Sequence, residues 1–111
     1  MKRGDIYFAA LDPADGSKVQ KTRPVIIVSN DVANRASSLV TVIPMTSNRT
    51  RVYPFEVALD ASDTGLGKDR KAMAQQVRTL DKARLGTFRR GAVTGDKMLL
   101  VDVALRLHLE L

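Results

Sequence analysis

The chain has no cysteine and no tryptophan, and its single histidine, His108, lies in an apolar C-terminal stretch. Without thiols there is neither a disulfide framework nor a thiolate metal site, which suits a reducing cytoplasm. A lone histidine with no partner pattern around it excludes a serine-hydrolase triad, and His108 reads as a surface residue. Two tyrosines and three phenylalanines are few, so the core must be built mainly from Val, Ile, Leu and Ala. No apolar run approaches transmembrane length, and the one after Met1-Lys2-Arg3 is far too short for a signal segment; a cytoplasmic protein without membrane contact is expected. Asp60, Asp63 and Asp69 fall in loops without ligand spacing, so neither metal nor cofactor is expected. Gly65-Leu66-Gly67-Lys68 is a fragment of a phosphate-loop pattern that lacks its full glycine spacing, with Asp69 in place of the hydroxyl residue; it reads as a turn.

What is abundant is positive charge. Eighteen Lys and Arg against twelve Asp and Glu leave a net charge of +6 on 111 residues. That length is one domain, residues 1–111. The charge favours a polyanionic partner, either nucleic acid or an acidic protein segment, over a surface kept basic for solubility. Its distribution is local: Lys18, Lys21 and Arg23 crowd one loop, Arg49 and Arg51 another, Arg89 and Arg90 a third.

The apolar pattern is mostly that of short strands. Residues 6–11, 25–29, 40–44 and 54–59 read as strands, and 71–78 as one more strand or a bent pair. Asn30 or Asp31 caps a helical turn running to Arg35, and 81–85 reads as another turn. Basic residues 47–52 and polar residues 61–68 form loops. The C-terminal segment fits two patterns. Met98, Val101, Leu105 and Leu109 lie on one helical face, yet every second residue from Val101 to Leu111 is apolar, as in a strand. Leucine richness favours a helix over 96–107. The order of short strands and turns predicts a small antiparallel β-barrel, mainly β with short helices, whose sheet edges are closed or covered.

One constellation carries chemistry. Pro24 holds Arg23 in an extended conformation at the start of a buried-type strand, while Thr46, Ser47 and Asn48 stand at the end of another. A guanidinium and a hydroxyl cluster on neighbouring strand ends suit a phosphate, since arginine binds two oxygens at once. The plain alternatives are an arginine paired with a nearby carboxylate and a threonine bonded to its own turn.

These residues, with Arg3-Gly4-Asp5-Ile6-Tyr7 and the run from Gln76 to Leu85 (Gln-Val-Arg-Thr-Leu-Asp-Lys-Ala-Arg-Leu), resemble in order and spacing the MazF/PemK family of toxin endoribonucleases. The resemblance implies an SH3-like barrel ending in a helix. It implies a metal-independent, sequence-specific enzyme that cuts single-stranded RNA by attack of a ribose 2′-hydroxyl on the adjacent phosphodiester, leaving a cyclic phosphate and a 5′-hydroxyl. It also implies a homodimer and a cognate antitoxin with an acidic segment. Arg23 and Thr46 match the family's catalytic arginine and threonine. Ser17, Lys18, Gln20, Lys21, Ser47, Asn48, Arg49 and Gln76 are the expected RNA contacts. Arg78 reads equally as structural or RNA-binding, and Tyr53 and Phe55 as core residues or base-stacking surfaces.

The chain also departs from the pattern. Lys18 stands at an acidic position and Lys21 at a glycine position, Ser17 where some relatives have histidine, and Gln75 where some have a carboxylate. An acid–base scheme built on those side chains does not transfer. A non-catalytic RNA-binding module is therefore an alternative. A gyrase-inhibiting toxin of the same fold is another, disfavoured because those relatives use a C-terminal tryptophan.

Overall fold

Two strands in the middle of the sheet are apolar on both faces, and this decides the architecture. The computed structural model describes residues 1–11 and 21–111. In β2 (Thr22–Ile27) and β3 (Leu39–Thr46), Val25, Ile27, Val40 and Val42 point to one side and join Ala9, Leu11 and Leu80. Ile26, Ile43 and Met45 point to the other, joining Ile6, Val57, Leu59, Ala72, Val101 and Ala104. An antiparallel sheet usually leaves one face wet; here the runs Val-Ile-Ile and Val-Thr-Val-Ile are continuous because both faces are covered.

The strands run in the order β4–β5–β3–β2–β1–β7, with β6 also pairing β3. Here β1 is Asp5–Ala10, β4 Glu56–Leu59, β5 Arg70–Met73, β6 Arg78–Asp81 and β7 Gly91–Ala92. All pairings are antiparallel. Residues 71–78, expected as one strand or a bent pair, hold most of β5 and a 3-10 corner, Ala74–Gln76, and the second arm, β6, begins only at Arg78. β5 pairs Met45 and Thr46, and β6 pairs residues from Leu39 to Val42, so β3 is the spine of a curled sheet.

Two short elements depart from expectation. α1 (Asp31–Ala36) is capped by Asn30, whose side chain accepts the Ala33 N–H at 2.8 Å, and runs one residue past Arg35. Residues 61–68 are not all loop: α2 (Ala61–Thr64) opens them, with a capping box in which Asp63 accepts the Asp60 N–H at 2.8 Å. The aspartates therefore order a helix end rather than merely solvate a loop. α2 lies between the sheet's terminal strands, and the Thr94 N–H bonds the Asp63 carbonyl at 3.0 Å. A Cβ on Gly91 of β7 would sit 2.3 Å from the Thr64 carbonyl oxygen, so only glycine permits this approach.

The C-terminal segment is a helix, α3 (Gly95–Leu109). It packs on the core through Val101 and Ala104, with Met98 and Leu105 partly buried. Leu109, placed on that face by periodicity, is instead about half exposed, as are Leu100 and Leu107. Arg3 ties the helix to the sheet, reaching Asp102 at 2.7 Å and the Val28 carbonyl at 2.8 Å. No helix among the described residues is long and apolar enough to cross a membrane.

Candidate active site

The site lies where β2 and β3 part. Their last paired residues are Val25 and Pro44. Pro24 and Pro44 have no N–H to continue a ladder, and the pairing between the two strands stops beside them. Carried two residues further, the same register sets Arg23 opposite Thr46, now without a ladder between them. β2 begins at Thr22, earlier than expected, because Thr22 and Arg23 pair with Ala10 and Ala9 of β1. Arg23 thus stands inside a strand rather than in front of one. On the other side of β3, Thr46 pairs directly with Lys71 of β5. Three strands therefore present a row: Arg23, Thr46, Lys71.

This row lines an open pocket of about 530 Å³. Leu11, Pro44 and Met73 form its apolar parts; Asn48, Thr50 and Gln76 add neutral polar groups; Arg51 and Arg78 bring further charge. Among the described residues four cationic side chains and no acidic one line it, which suits the pocket to an anion. Among the described residues no carboxylate pairs with Arg23, which leaves its two-pronged donor set for a ligand. The Thr46 hydroxyl oxygen accepts the Asn48 N–H at 3.2 Å. The turn reading of Thr46 is therefore true of its lone pair, and its O–H remains a donor. The Asn48 side-chain oxygen accepts the Thr50 N–H at 3.1 Å, so its amide NH2 is the end left for a ligand.

The other expected contacts divide. Ser17, Lys18 and Gln20 lie outside the described residues, and Lys21 is exposed just ahead of β2. Ser47 is exposed and does not line the pocket. Arg49 turns away: its guanidinium reaches Asp60 at 2.9 Å, Asp69 at 3.9 Å and the Leu59 carbonyl at 3.3 Å. Gln76 lines the pocket with its amide nitrogen 3.6 Å from the Met73 sulfur. Arg78 serves both of its readings, bonding the Leu11 carbonyl at 3.0 Å while lining the pocket. His108 is exposed at the far end of α3, and no cluster of His, Cys, Asp or Glu suited to a metal occurs among the described residues.

Sequence reasoning passed over Lys71 and the carboxylate that holds it. Glu56 is the one ionisable residue in an apolar strand, and its side chain is 2 % exposed. Lys71 donates to it at 2.9 Å, Gln75 at 2.7 Å and the Tyr53 N–H at 3.0 Å. Burial pushes its pKa up, but these hydrogen bonds outweigh burial and hold it below the ordinary glutamate value. An acidic residue inside an alternating apolar strand was a signal that a partner had to exist. Tyr53 itself is stacked on Phe55, ring centroids 5.3 Å apart, with the Arg51 guanidinium 5.6 Å from the tyrosine centroid.

Known proteins share this chain's sequence and shape. Residues 2–109 match the family described as PemK-like, MazF-like toxin of type II toxin–antitoxin system. Endoribonuclease MazF9 of Mycobacterium tuberculosis is 44% identical over 116 residues, spanning all of this chain and 98% of that protein. Endoribonuclease EndoA of Bacillus subtilis is 38% identical over 112 residues, spanning all of this chain and 96% of that one. A mycobacterial endoribonuclease solved in complex with its cognate antitoxin superposes with a TM-score of 0.82 at 32% identity, covering all of this chain and 96% of the other.

Proposed function

The chain belongs to the PemK-like, MazF-like toxins of type II toxin–antitoxin systems and is an endoribonuclease; we propose that Arg23 and Thr46 form its cleavage centre. The observation that carries this is their apposition at the open end of the β2–β3 ladder, in a pocket rich in cations and lined, among the described residues, by no carboxylate. Single-stranded RNA threads the pocket with the scissile phosphate between the two side chains. The 2′-hydroxyl gives up its proton to water as its oxygen attacks phosphorus, the P–O5′ bond breaks with the leaving oxygen taking a proton from water, and a 2′,3′-cyclic phosphate and a 5′-hydroxyl result. Charge builds on the nonbridging oxygens as the phosphorus becomes five-coordinate. Arg23 meets that charge with paired N–H donors, and Thr46 with its O–H. No carboxylate or histidine is among the described lining residues, so these side chains supply charge stabilisation rather than proton abstraction.

An antitoxin with an acidic segment occupies the same pocket, its carboxylates replacing phosphates against the same cations. The protein works in the cytoplasm, where its substrate is. It acts as a homodimer, with RNA in a groove that two copies share; the exposed apolar residues Leu99, Leu100, Val103 and Leu107 of α3 leave surface for such an assembly. The test is incubation with a long RNA in EDTA, followed by mapping of the ends. Cuts at a repeated short sequence, with cyclic phosphate and 5′-hydroxyl termini, are expected. Intact RNA that is nonetheless bound would make the protein a binding module, and cutting that stops with EDTA would overturn metal independence.

A further inference from the structure

Glu56 and Lys71 form a buried ion pair next to the cleavage centre but not in it. Such pairs contribute little to stability over apolar residues of the same size, because desolvation offsets the attraction. What they do provide is fixity. A lysine stem has many rotamers, and here its ammonium is tied at two points: the Glu56 carboxylate at 2.9 Å and the Arg51 carbonyl at 2.6 Å. Gln75 and the Tyr53 N–H tie Glu56 in turn. An ammonium has three N–H donors, so one is left for the pocket that Lys71 lines.

The direction of the tether is informative. Lys71 stands opposite Thr46 in the sheet, yet the carboxylate that anchors it, Glu56, is on β4, on the side away from β2 and Arg23. Arg51 also lines the pocket, its guanidinium bonded to the Tyr53 hydroxyl at 3.1 Å. Lys71 is thus separated from Arg23 by the width of the sheet's spine strand, and the Arg51 guanidinium approaches the same Tyr53 ring as the Lys71 ammonium. We propose that Lys71, held by Glu56 and assisted by Arg51, forms a second anion subsite that binds the phosphodiester adjacent to the scissile one. This deepens the endoribonuclease reading and rests on it. The subsite fixes the strand's register so that the scissile phosphate falls between Arg23 and Thr46, and it makes no contact with the reacting atoms.

Lys71→Met alone would strand the buried Glu56 carboxylate and could unfold the protein, so the test uses the double variant E56Q/K71M, which removes both charges together. The probe is an RNA carrying the wild-type cleavage sequence with a 2′-deoxynucleotide at the attacking position, which binds but cannot be cut. The double variant should bind it roughly ten- to hundredfold more weakly, the worth of a charge-assisted hydrogen bond. Its log–log salt slope should be shallower by about 0.7. Its single-turnover rate on cleavable RNA at saturation should change much less than its affinity. A neutral methylphosphonate at the adjacent linkage should weaken binding to the wild type but not further weaken binding to the double variant. An unchanged slope and affinity would reduce the pair to a structural role. A collapse of the saturated rate with affinity intact would put Lys71 on the scissile phosphate instead. The two levels separate on the wild type itself: if it binds RNA without cutting it, the cleavage reading fails, while the slope difference between wild type and double variant on a plain oligouridylate still reports on Lys71.

Discussion

Arg23 and Thr46 differ in what their removal should cost on the proposed mechanism. Arg23→Ala deletes a charge contact made in the transition state, and cleavage should fall about a hundred- to thousandfold in a protein that melts like the wild type. Wild-type rates in that variant would refute the assignment. Thr46→Val keeps the volume and loses the O–H. Its single-turnover rate should drop more than its affinity for uncleavable RNA, whereas equal losses would make Thr46 a positioning contact. Glu56 gives a pH prediction. Its pKa is depressed on folding from the ordinary 4.5, so its contribution to stability is full above that value and fades as the pH falls through the lower, folded value. The stability gap between wild type and Glu56→Gln, read from denaturant unfolding, should be constant near neutrality and shrink in acid; a gap unchanged down to about pH 3 would show that the carboxylate is not held ionised by its partners. Arg23 and Thr46 were legible because each adjoins a strand end that a proline marks. Arg49 was not, because closeness in sequence to Thr46 says nothing about the way a loop side chain turns, and Asp60 and Asp69 decided that from ten or more residues away.

At the level of elements, the closure of the curled sheet depends on Gly91. With α2 lying against β7, a methyl group there meets backbone rather than a movable side chain, so Gly91→Ala should lower stability by about 1–3 kcal/mol. Thermal melting would measure it, and RNA binding by the folded fraction should persist because the pocket lies across the sheet; an unchanged melting temperature would mean that α2 can move aside. The central strands were legible from sequence because a continuous apolar run has few other uses in a short chain. The β5–β6 bend was legible only as an alternative, since β3 imposes the corner by changing partners along its length. β7 was not legible: two residues carry no periodicity, and only β1 gives them a ladder. In α3 the strict alternation from Val101 to Leu111 pointed to a strand, but Val101 and Ala104 at helical spacing are what the core accepts, and the alternating leucines are largely left outside.

For the whole molecule the net charge of +6 sets how binding responds to salt. Lys21 is exposed just before β2, and Lys18 belongs to the adjoining segment outside the described residues. If both meet phosphates, changing the two to glutamine should weaken RNA binding and flatten the salt slope by roughly 0.7 for each phosphate no longer neutralised. The cut sequence should stay the same, because phosphate contacts position a strand without reading it. A new cut site with the old slope would assign base reading to that segment. Arg23, Thr46 and Lys71 ride on three neighbouring strands of one sheet, so on the proposed mechanism the row that meets the RNA is held by backbone pairing and not by a loop that has to close. Restraint then has to come from outside and in molar amounts. Titrated with a tight inhibitor, activity should fall in a straight line to an equivalence point, and the smallest excess of this chain beyond that point should already cut.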